Sequence, residues 1–263
     1  MKSRLDCHWR LVATTLAFTA FGVCGLAFSL VLFPLAWLWP HRASKQRAVT
    51  WIIHAFFRAL VAVLQWVGVM ELDARGVEAL RRSKDPAIVV ANHPTWLDVM
   101  VLLSLTPRAC CVVKSVHWGN PFFWGVVRAA EYVSNDTPLE LLEAGSQQLA
   151  RGYTLIIFPE GTRSPGRNRL HAFSRGFAHV ALRSGAPILP VLMSCDPPAF
   201  TKELRWYDVP DRAFCIRVKV LDPVVPEELA SREEPIAIAA RTMTREIEAR
   251  ITQHLYDYGF FKA

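Results

Sequence analysis

The sequence predicts an α/β fold: a central mixed β-sheet flanked by helices and preceded by N-terminal membrane-associated helices. Three observations carry this expectation. From Glu71 onward, short β-rich runs alternate with helical patterns, the arrangement that builds a sheet covered by helices. Leu11 through Trp39 carries no charged side chain. The apolar run Ala87–Ala91 empties into Asn92-His93-Pro94-Thr95-Trp96-Leu97-Asp98, as a buried strand does when it delivers polar groups to its own end.

In chain order, the uncharged Leu11–Trp39 stretch makes a helix of about 43 Å, against a hydrocarbon core of about 30 Å. It is long enough to span, and Trp37-Leu38-Trp39-Pro40 does not resemble the small-residue cleavage site of a signal peptide. Lys2, Arg4 and Arg10 on one flank balance Arg42, Lys45 and Arg47 on the other, so flanking charge does not orient it. A tilted span and a helix bent at Gly22, Gly25 or Pro34 to re-enter one leaflet both stay open. Val49–Val69 follows with few polar residues: Thr50, His54, Arg58 and Gln65. On a helix these fall within about 80° of one another. That narrow stripe suits a helix in the membrane interface, or one packed beside the first with its stripe toward the soluble domain. An ordinary core helix has the same pattern. In the interfacial version Trp37, Trp39, Trp51 and Trp66 form an aromatic belt. Residues 1–70 therefore read as a membrane-embedded or interfacial segment, and 71–263 as the α/β domain.

Within that domain, strands are expected at Val69–Ala74, Ala87–Ala91, Ala109–Lys114, Glu131–Ser134, Thr154–Phe158, Ile188–Met193 and Phe214–Val220. Helices are expected at Leu97–Leu105, Pro138–Ala150 and Phe177–Ser184. Ile236, Ala239, Met243, Ile247, Ile251 and Leu255 make one apolar seam of a closing amphipathic helix. The length of 263 residues suits one large domain with additions. A formal charge of +7 fits anionic headgroups, phosphate-bearing substrates, an acidic carrier protein or nucleic acid. Nucleic acid is disfavoured, because the Lys and Arg are scattered and a long apolar segment precedes them. The six cysteines contain no C-x-x-C pair and the eight histidines no close ligand spacing, so no metal site is expected. Cys110 and Cys111 read as small core residues, and the cysteines together as reduced thiols of a cytosol-facing protein.

Two stretches carry chemistry. Pro94 suits the first helical position, which would put His93 near the N-cap and Asp98 in the second turn. Inside one helix, five residues would turn Asp98 about 140° away from His93; with His93 on the turn, its ring can fold back toward the carboxylate. A carboxylate on one ring nitrogen leaves the other free to take a proton from a hydroxyl or thiol. A capping histidine beside a surface Asp is the plain alternative. The second stretch, Phe158-Pro159-Glu160-Gly161-Thr162-Arg163-Ser164-Pro165-Gly166, follows the short apolar run Thr154–Ile157. It is a tight loop at a strand end, where open α/β sheets place their sites. Arg163 offers a planar fork to phosphate or carboxylate, Gly161 lets backbone N–H groups approach a ligand, and Glu160 either holds Arg163 or binds a hydroxyl. Arg167, Arg169 and Arg175 add positive potential. A surface loop with a local Glu–Arg pair is the alternative here.

Together, N-H-P-T-W-L-D and F-P-E-G-T-R-S, with Phe173-Ser174-Arg175-Gly176-Phe177 and Ala186-Pro187-Ile188-Leu189-Pro190-Val191 behind them, resemble four ordered blocks of the glycerolipid acyltransferases of the lysophosphatidic acid acyltransferase (1-acylglycerol-3-phosphate acyltransferase, PlsC-like) family. The resemblance implies that His93 deprotonates an acceptor hydroxyl and Asp98 orients it. By the same resemblance Glu160, Gly161, Thr162 and Arg163, with Arg175 nearby, hold the head of a lysophospholipid-like acceptor. The acyl donor would be an acyl-CoA or acyl carrier protein thioester, attacked directly without an acyl-enzyme, and no cofactor or metal is implied. The N-terminal helices would seat the chain on a membrane, with the catalytic domain on the cytoplasmic side (of the inner membrane in a bacterium). One block departs from the family pattern: Asn135 in Glu131-Tyr132-Val133-Ser134-Asn135-Asp136 stands where the resemblance calls for an Arg that helps bind acceptor phosphate. Either Lys114, Arg128 and Arg163 compensate, or the acceptor is a lipid with a differently charged head. Trp118, Pro121, Phe122, Phe123 and Trp124 form an aromatic cluster that suits an acyl groove or core packing equally well. Two other readings remain: a thioesterase or lipase, for which no G-x-S-x-G elbow seats a serine, and a non-catalytic membrane adaptor that kept the fold.

Overall fold

The computed structural model describes residues 2–32, 35–36, 38–81, 85–120, 124–166, 169–229 and 234–261. Its strands are β1 (Met70–Asp73), β2 (Ile88–Ala91), β3 (Ala109–Val113), β4 (Val133–Ser134), β5 (Thr154–Ile157), β6 (Ile188–Asp196) and β7 (Phe214–Val220). They form one sheet in the order β1-β7-β6-β2-β5-β3-β4. From β6 to β4 neighbouring strands are parallel, whereas β7 runs antiparallel to β6 and carries β1 parallel to itself. The sheet is therefore mixed. Every residue of β2 and β5 is buried, which explains why both read as unbroken apolar runs instead of alternating ones. All seven expected strands are present. β6 continues three residues beyond Met193, because β7 pairs with it out to Asp196↔Cys215.

Helices cover the sheet: α3 (Glu78–Arg81), α4 (Asp98–Leu105), α5 (Trp124–Ala129), α6 (Pro138–Ala150), α7 (Gly176–Ser184), α8 (Pro226–Leu229) and α9 (Ile236–Asp257). Local chemistry sets their ends. Thr137 caps α6 by accepting from Glu140 N at 3.1 Å, with Pro138 in the first helical turn. α7 stops at Gly185, whose φ of +67° is open to glycine. The seam of α9 is buried at Ala239, Met243, Ile247, Ile251 and Leu255, although Ile236 at its start is exposed.

Two long helices precede the sheet, α1 (Lys2–Ala27), which continues as one π-helical stretch Phe28–Leu32, and α2 (Arg42–Trp66). Both are long and apolar enough to cross a membrane. They pair as an antiparallel hairpin through Phe21–Phe57 and Phe28–Phe56 ring contacts at 6.2 and 5.2 Å. α1 runs unbroken through Gly22 and Gly25, and its departure from α-helical pitch comes only at Phe28. Here Gly125 of α5 packs so closely that a Cβ would stand 2.6 Å from Ser29 Cα. The polar stripe of α2 divides. Thr50 is buried and His54 donates through Nδ1 to Leu103 O of α4 at 2.8 Å, while Arg58 and Gln65 are exposed. Of the belt tryptophans, Trp39, Trp51 and Trp66 are exposed. Pro34, Trp37, Pro121, Phe122, Phe123 and Arg167, which figured in the sequence-based expectations, lie outside the described residues.

One polar knot ties α2 to the far edge of the sheet. Glu131, at φ +55° just before β4, receives Arg42 through both carboxylate oxygens at 2.8 and 2.9 Å and Arg151 at 2.7 Å. Burial pushes this carboxyl up, but the hydrogen bond and charge of Arg42 together with Arg151 outweigh it and hold Glu131 below the usual carboxylate range. Cys110 and Cys111 are buried in β3, and burial raises the Cys111 thiol to about 12.

Candidate active site

The parallel strands β2, β5, β3 and β4 all point their C-terminal ends to one edge of the sheet, and the residues singled out in the sequence gather along it. β2 ends at Ala91. Asn92 then bridges sideways to β6, donating to Met193 O at 2.9 Å and accepting from Met193 N at 2.8 Å. This fixes the point at which the chain leaves the sheet for His93.

The helix expected from Pro94 begins later. α4 starts at Asp98, and Thr95–Leu97 form a turn. The reason is the Asp98 carboxylate, which takes Thr95 N at 2.7 Å on Oδ2 and the Thr95 hydroxyl at 2.6 Å on Oδ1, while the hydroxyl accepts from Leu97 N at 3.2 Å. Side-chain oxygens thus satisfy amides that a helical turn would otherwise leave without partners. The turn brings His93 Nδ1 within 2.9 Å of Asp98 Oδ2. A carboxylate only accepts, so Nδ1 carries the proton and Nε2 keeps its lone pair. Asp98 is fully buried, whereas the His93 side chain is 15 % exposed. The pair accordingly leaves one ring nitrogen of a partly exposed His93 outside the contact with Asp98, whose carboxylate is hidden. Phe158, the first residue after β5, lies against the His93 ring with centroids 4.4 Å apart.

The second stretch meets the first through Glu160. Its Oε1 accepts from His93 N at 3.0 Å and from the Ser164 hydroxyl at 2.6 Å, and its Oε2 accepts from His171 N at 2.9 Å. Ser164 reinforces this by donating its own N–H to His93 O at 2.7 Å. Glu160 is buried, and its oxygens serve three donors within the protein. Arg163 does not pair with it. Its guanidinium donates to Phe200 O at 3.0 Å and Thr201 O at 2.7 Å, in the connection between β6 and β7. Gly161 turns the loop at φ +66°, with its N–H on Phe158 O at 3.0 Å, and Thr162 beside it is half-buried. The other expected site residues stand farther along the edge. Lys114 is exposed one position past β3, two strands from β2 and so about 10 Å along the sheet. Arg175 is exposed at the N-cap of α7, and Asn135 is exposed just past β4.

A shallow apolar groove opens beside the His93 turn, bounded by Phe18 and Phe21 of α1 and by Trp96, Met100, Phe200 and Phe214. Phe18 stacks on Trp96 at 5.3 Å and meets Phe200 edge-on at 5.3 Å. Phe200 did not emerge from the sequence, yet it joins three parts of the site. Its ring lines the groove, and its carbonyl accepts from both Trp96 N and Arg163. It also adopts φ +54°, costly for a residue with a Cβ. The cue nearest to it was Pro197-Pro198, which marks a loop without showing where the loop returns. Trp118 and Trp124, the two ends of the expected aromatic cluster, are not among the groove residues.

The Acyltransferase family model matches residues 71–194, which contain both stretches. The 1-acyl-sn-glycerol-3-phosphate acyltransferase alpha of Mus musculus is 24% identical over 202 residues, 72% of this chain and 69% of that protein. The 1-acyl-sn-glycerol-3-phosphate acyltransferase of Saccharomyces cerevisiae is 26% identical over 230 residues, 84% of this chain and 70% of its own. Residues 71–194 thus carry an acyltransferase-family domain, and over most of its length the chain is similar to 1-acyl-sn-glycerol-3-phosphate acyltransferases. At the level of the fold, this acyltransferase superposes on the crystal structure of the 1-acyl-sn-glycerophosphate (LPA) acyltransferase PlsC from Thermotoga maritima with a TM-score of 0.64. That likeness covers 95% of this chain and 98% of the other at 23% identity.

Proposed function

We propose that the protein is a membrane-bound O-acyltransferase that moves a fatty acyl group from an acyl-CoA or acyl carrier protein thioester to the hydroxyl of a 1-acylglycerol-3-phosphate-like acceptor. The observation that carries this is the His93 Nδ1–Asp98 Oδ2 hydrogen bond, which leaves Nε2 as the basic nitrogen at the sheet edge. His93 Nε2 takes the acceptor's proton as its oxygen attacks the thioester carbonyl. The tetrahedral intermediate collapses to an ester, and the thiolate leaves and recovers a proton from the imidazolium. Asp98 balances the positive charge while it exists. The groove beside Trp96 suits an acyl chain, since its walls are almost wholly apolar. Glu160 acts here as the brace of the His93 backbone. Lys114, Arg128, Arg169 and Arg175 are exposed cations among the expected residues, and so suit the acceptor's charge.

Residues 1–70 form the membrane segment and 71–263 the catalytic domain in this reading. α1 lies against the domain at several points along its length, from Arg10 on Pro210 O to Phe21 on Trp96, which favours a hairpin lying in one leaflet over a span. The described cysteines are free, in keeping with a cytoplasmic domain. Incubating the protein with labelled acyl-CoA or acyl carrier protein thioester and lysophosphatidic acid tests the chemistry. His93→Ala should lower the rate by about 10²-fold or more, and unchanged turnover would reject the mechanism. Acyl release to water as fast as transfer would instead indicate a hydrolase. A second acceptor class is favoured by one observation: Arg163 is committed to two carbonyls while Asn135 offers no charge. Acceptors with other head groups therefore belong in the same assay.

A further inference from the structure

The connection between β6 and β7 runs out to α1 and exposes every residue from Lys202 to Asp208. Leu204, Trp206 and Tyr207 are 36%, 51% and 44% exposed, an unusual density of large apolar surface for one loop. Its position is tied to α1 at two levels. Arg10 donates to the carbonyls of Pro210 and Asp211, and Trp206 meets Phe18 edge-on at 6.4 Å. α1 itself shows its outer face, with Leu16 63% and Val23 61% exposed. The loop thus stands beside a helix whose other face is apolar and exposed.

We propose that Leu204, Trp206 and Tyr207 form a second membrane-contacting element, which enters the interfacial zone of a phospholipid bilayer alongside α1. This rests on the reading above that the hairpin sits in a membrane. The occupant follows from the chemistry. Trp and Tyr have apolar rings with one polar tip and favour the bilayer–water boundary. The loop's three basic residues, Lys202, Arg205 and Arg212, are balanced by Glu203, Asp208 and Asp211, so anionic lipid is not what draws it in. Contact at this loop also has a route to the reaction centre. Phe200 and Thr201, at its base, hold Arg163, and Phe200 O holds Trp96 N.

The test is tryptophan fluorescence of the full chain reconstituted in phosphatidylcholine nanodiscs with and without brominated acyl chains, which quench indoles at short range. Wild type is compared with Trp206→Phe, which keeps a ring against Phe18, so that the difference isolates Trp206. The expected result is a quenched Trp206 component that persists at high salt. If the remaining tryptophans are quenched but the Trp206 component is not, the hairpin sits in the membrane and the loop stays in water, which overturns the proposal alone. If no tryptophan is quenched, the membrane reading falls and the proposal with it. Quenching that vanishes at high salt would overturn the aromatic basis of the contact.

Discussion

Replacing Asp98 with Asn separates the charge of the site from its shape. The carboxylate is fully buried and receives three donors: His93 Nδ1 and Thr95 N on Oδ2, and the Thr95 hydroxyl on Oδ1. An amide has one accepting oxygen. Placed at the Oδ2 position it keeps the first two partners, whereas the reverse orientation would set its NH₂ against the Thr95 N–H. The Thr95 hydroxyl then faces an NH₂ and loses its acceptor. One buried hydroxyl proton without a partner costs about 1–3 kcal/mol, so a melting temperature lower by several degrees is expected. The His93 tautomer survives, and what disappears is the charge opposite the imidazolium that forms during transfer. A unit charge at about 4 Å contributes up to about 4 kcal/mol near a protein surface. A loss of about 2–4 kcal/mol in the transition state lowers kcat about 30- to 10³-fold. Because Asp98 is hidden from any acceptor, KM should barely move. Steady-state kinetics on protein whose circular dichroism matches wild type provides the assay. A folded variant within a few-fold of wild-type kcat, or one with raised KM and intact kcat, would refute the reasoning.

Other substitutions probe the frame around that pair. In Glu160→Gln the amide cannot accept at both positions, so the His171 N–H loses its partner at about 1–3 kcal/mol; a lower melting temperature and kcat are expected, and a pure KM effect would point instead to acceptor binding. Gly125→Ala sets a Cβ 2.6 Å from Ser29 Cα, and since backbone must move, calorimetry should show about 1–3 kcal/mol of destabilisation. Gly176→Ala is the control, as its close neighbour at 2.5 Å is only the end of the Leu141 side chain. Glu131→Gln should destabilise at neutral pH by about 1 kcal/mol. The folded carboxyl sits below its ordinary range, so the wild-type advantage is complete above that range and fades as pH falls through the lowered value. Melting curves of both proteins in acid should therefore converge, and a gap that widens would contradict the ion-pair assignment.

Elements with their own periodic signal were legible in the sequence. β2 and β5 showed themselves as apolar runs, α6 by its helical pattern over Pro138–Ala150, and α9 by its seam. The pairing of His93 with Asp98 was also legible, because a turn was the one arrangement that could join residues five apart. Long-range partners were not. Pro94 suggested an early helix start, but Asp98 competes for the amides of the turn and delays it. Glu160 and Arg163 are neighbours in sequence and looked like partners, yet each is claimed by a distant backbone, His171 for one and Phe200 for the other. Phe200 was invisible because its importance lies in its carbonyl and its conformation, and neither depends on a recognisable side-chain pattern.

The edge pairing of β1 bears on how the chain is completed during synthesis. Met70 pairs with Phe214, so β1 emerges from the ribosome together with the helical hairpin, long before the strand it pairs with exists. Closing so large a loop carries an entropic cost that no local contact offsets, and such closures are slow. Until β7 is made, the hairpin has only the earlier elements to lean on and β1 is an unsatisfied edge. Once β7 arrives, it pairs with the inner side of β1 and joins the strand that follows the hairpin to the rest of the sheet.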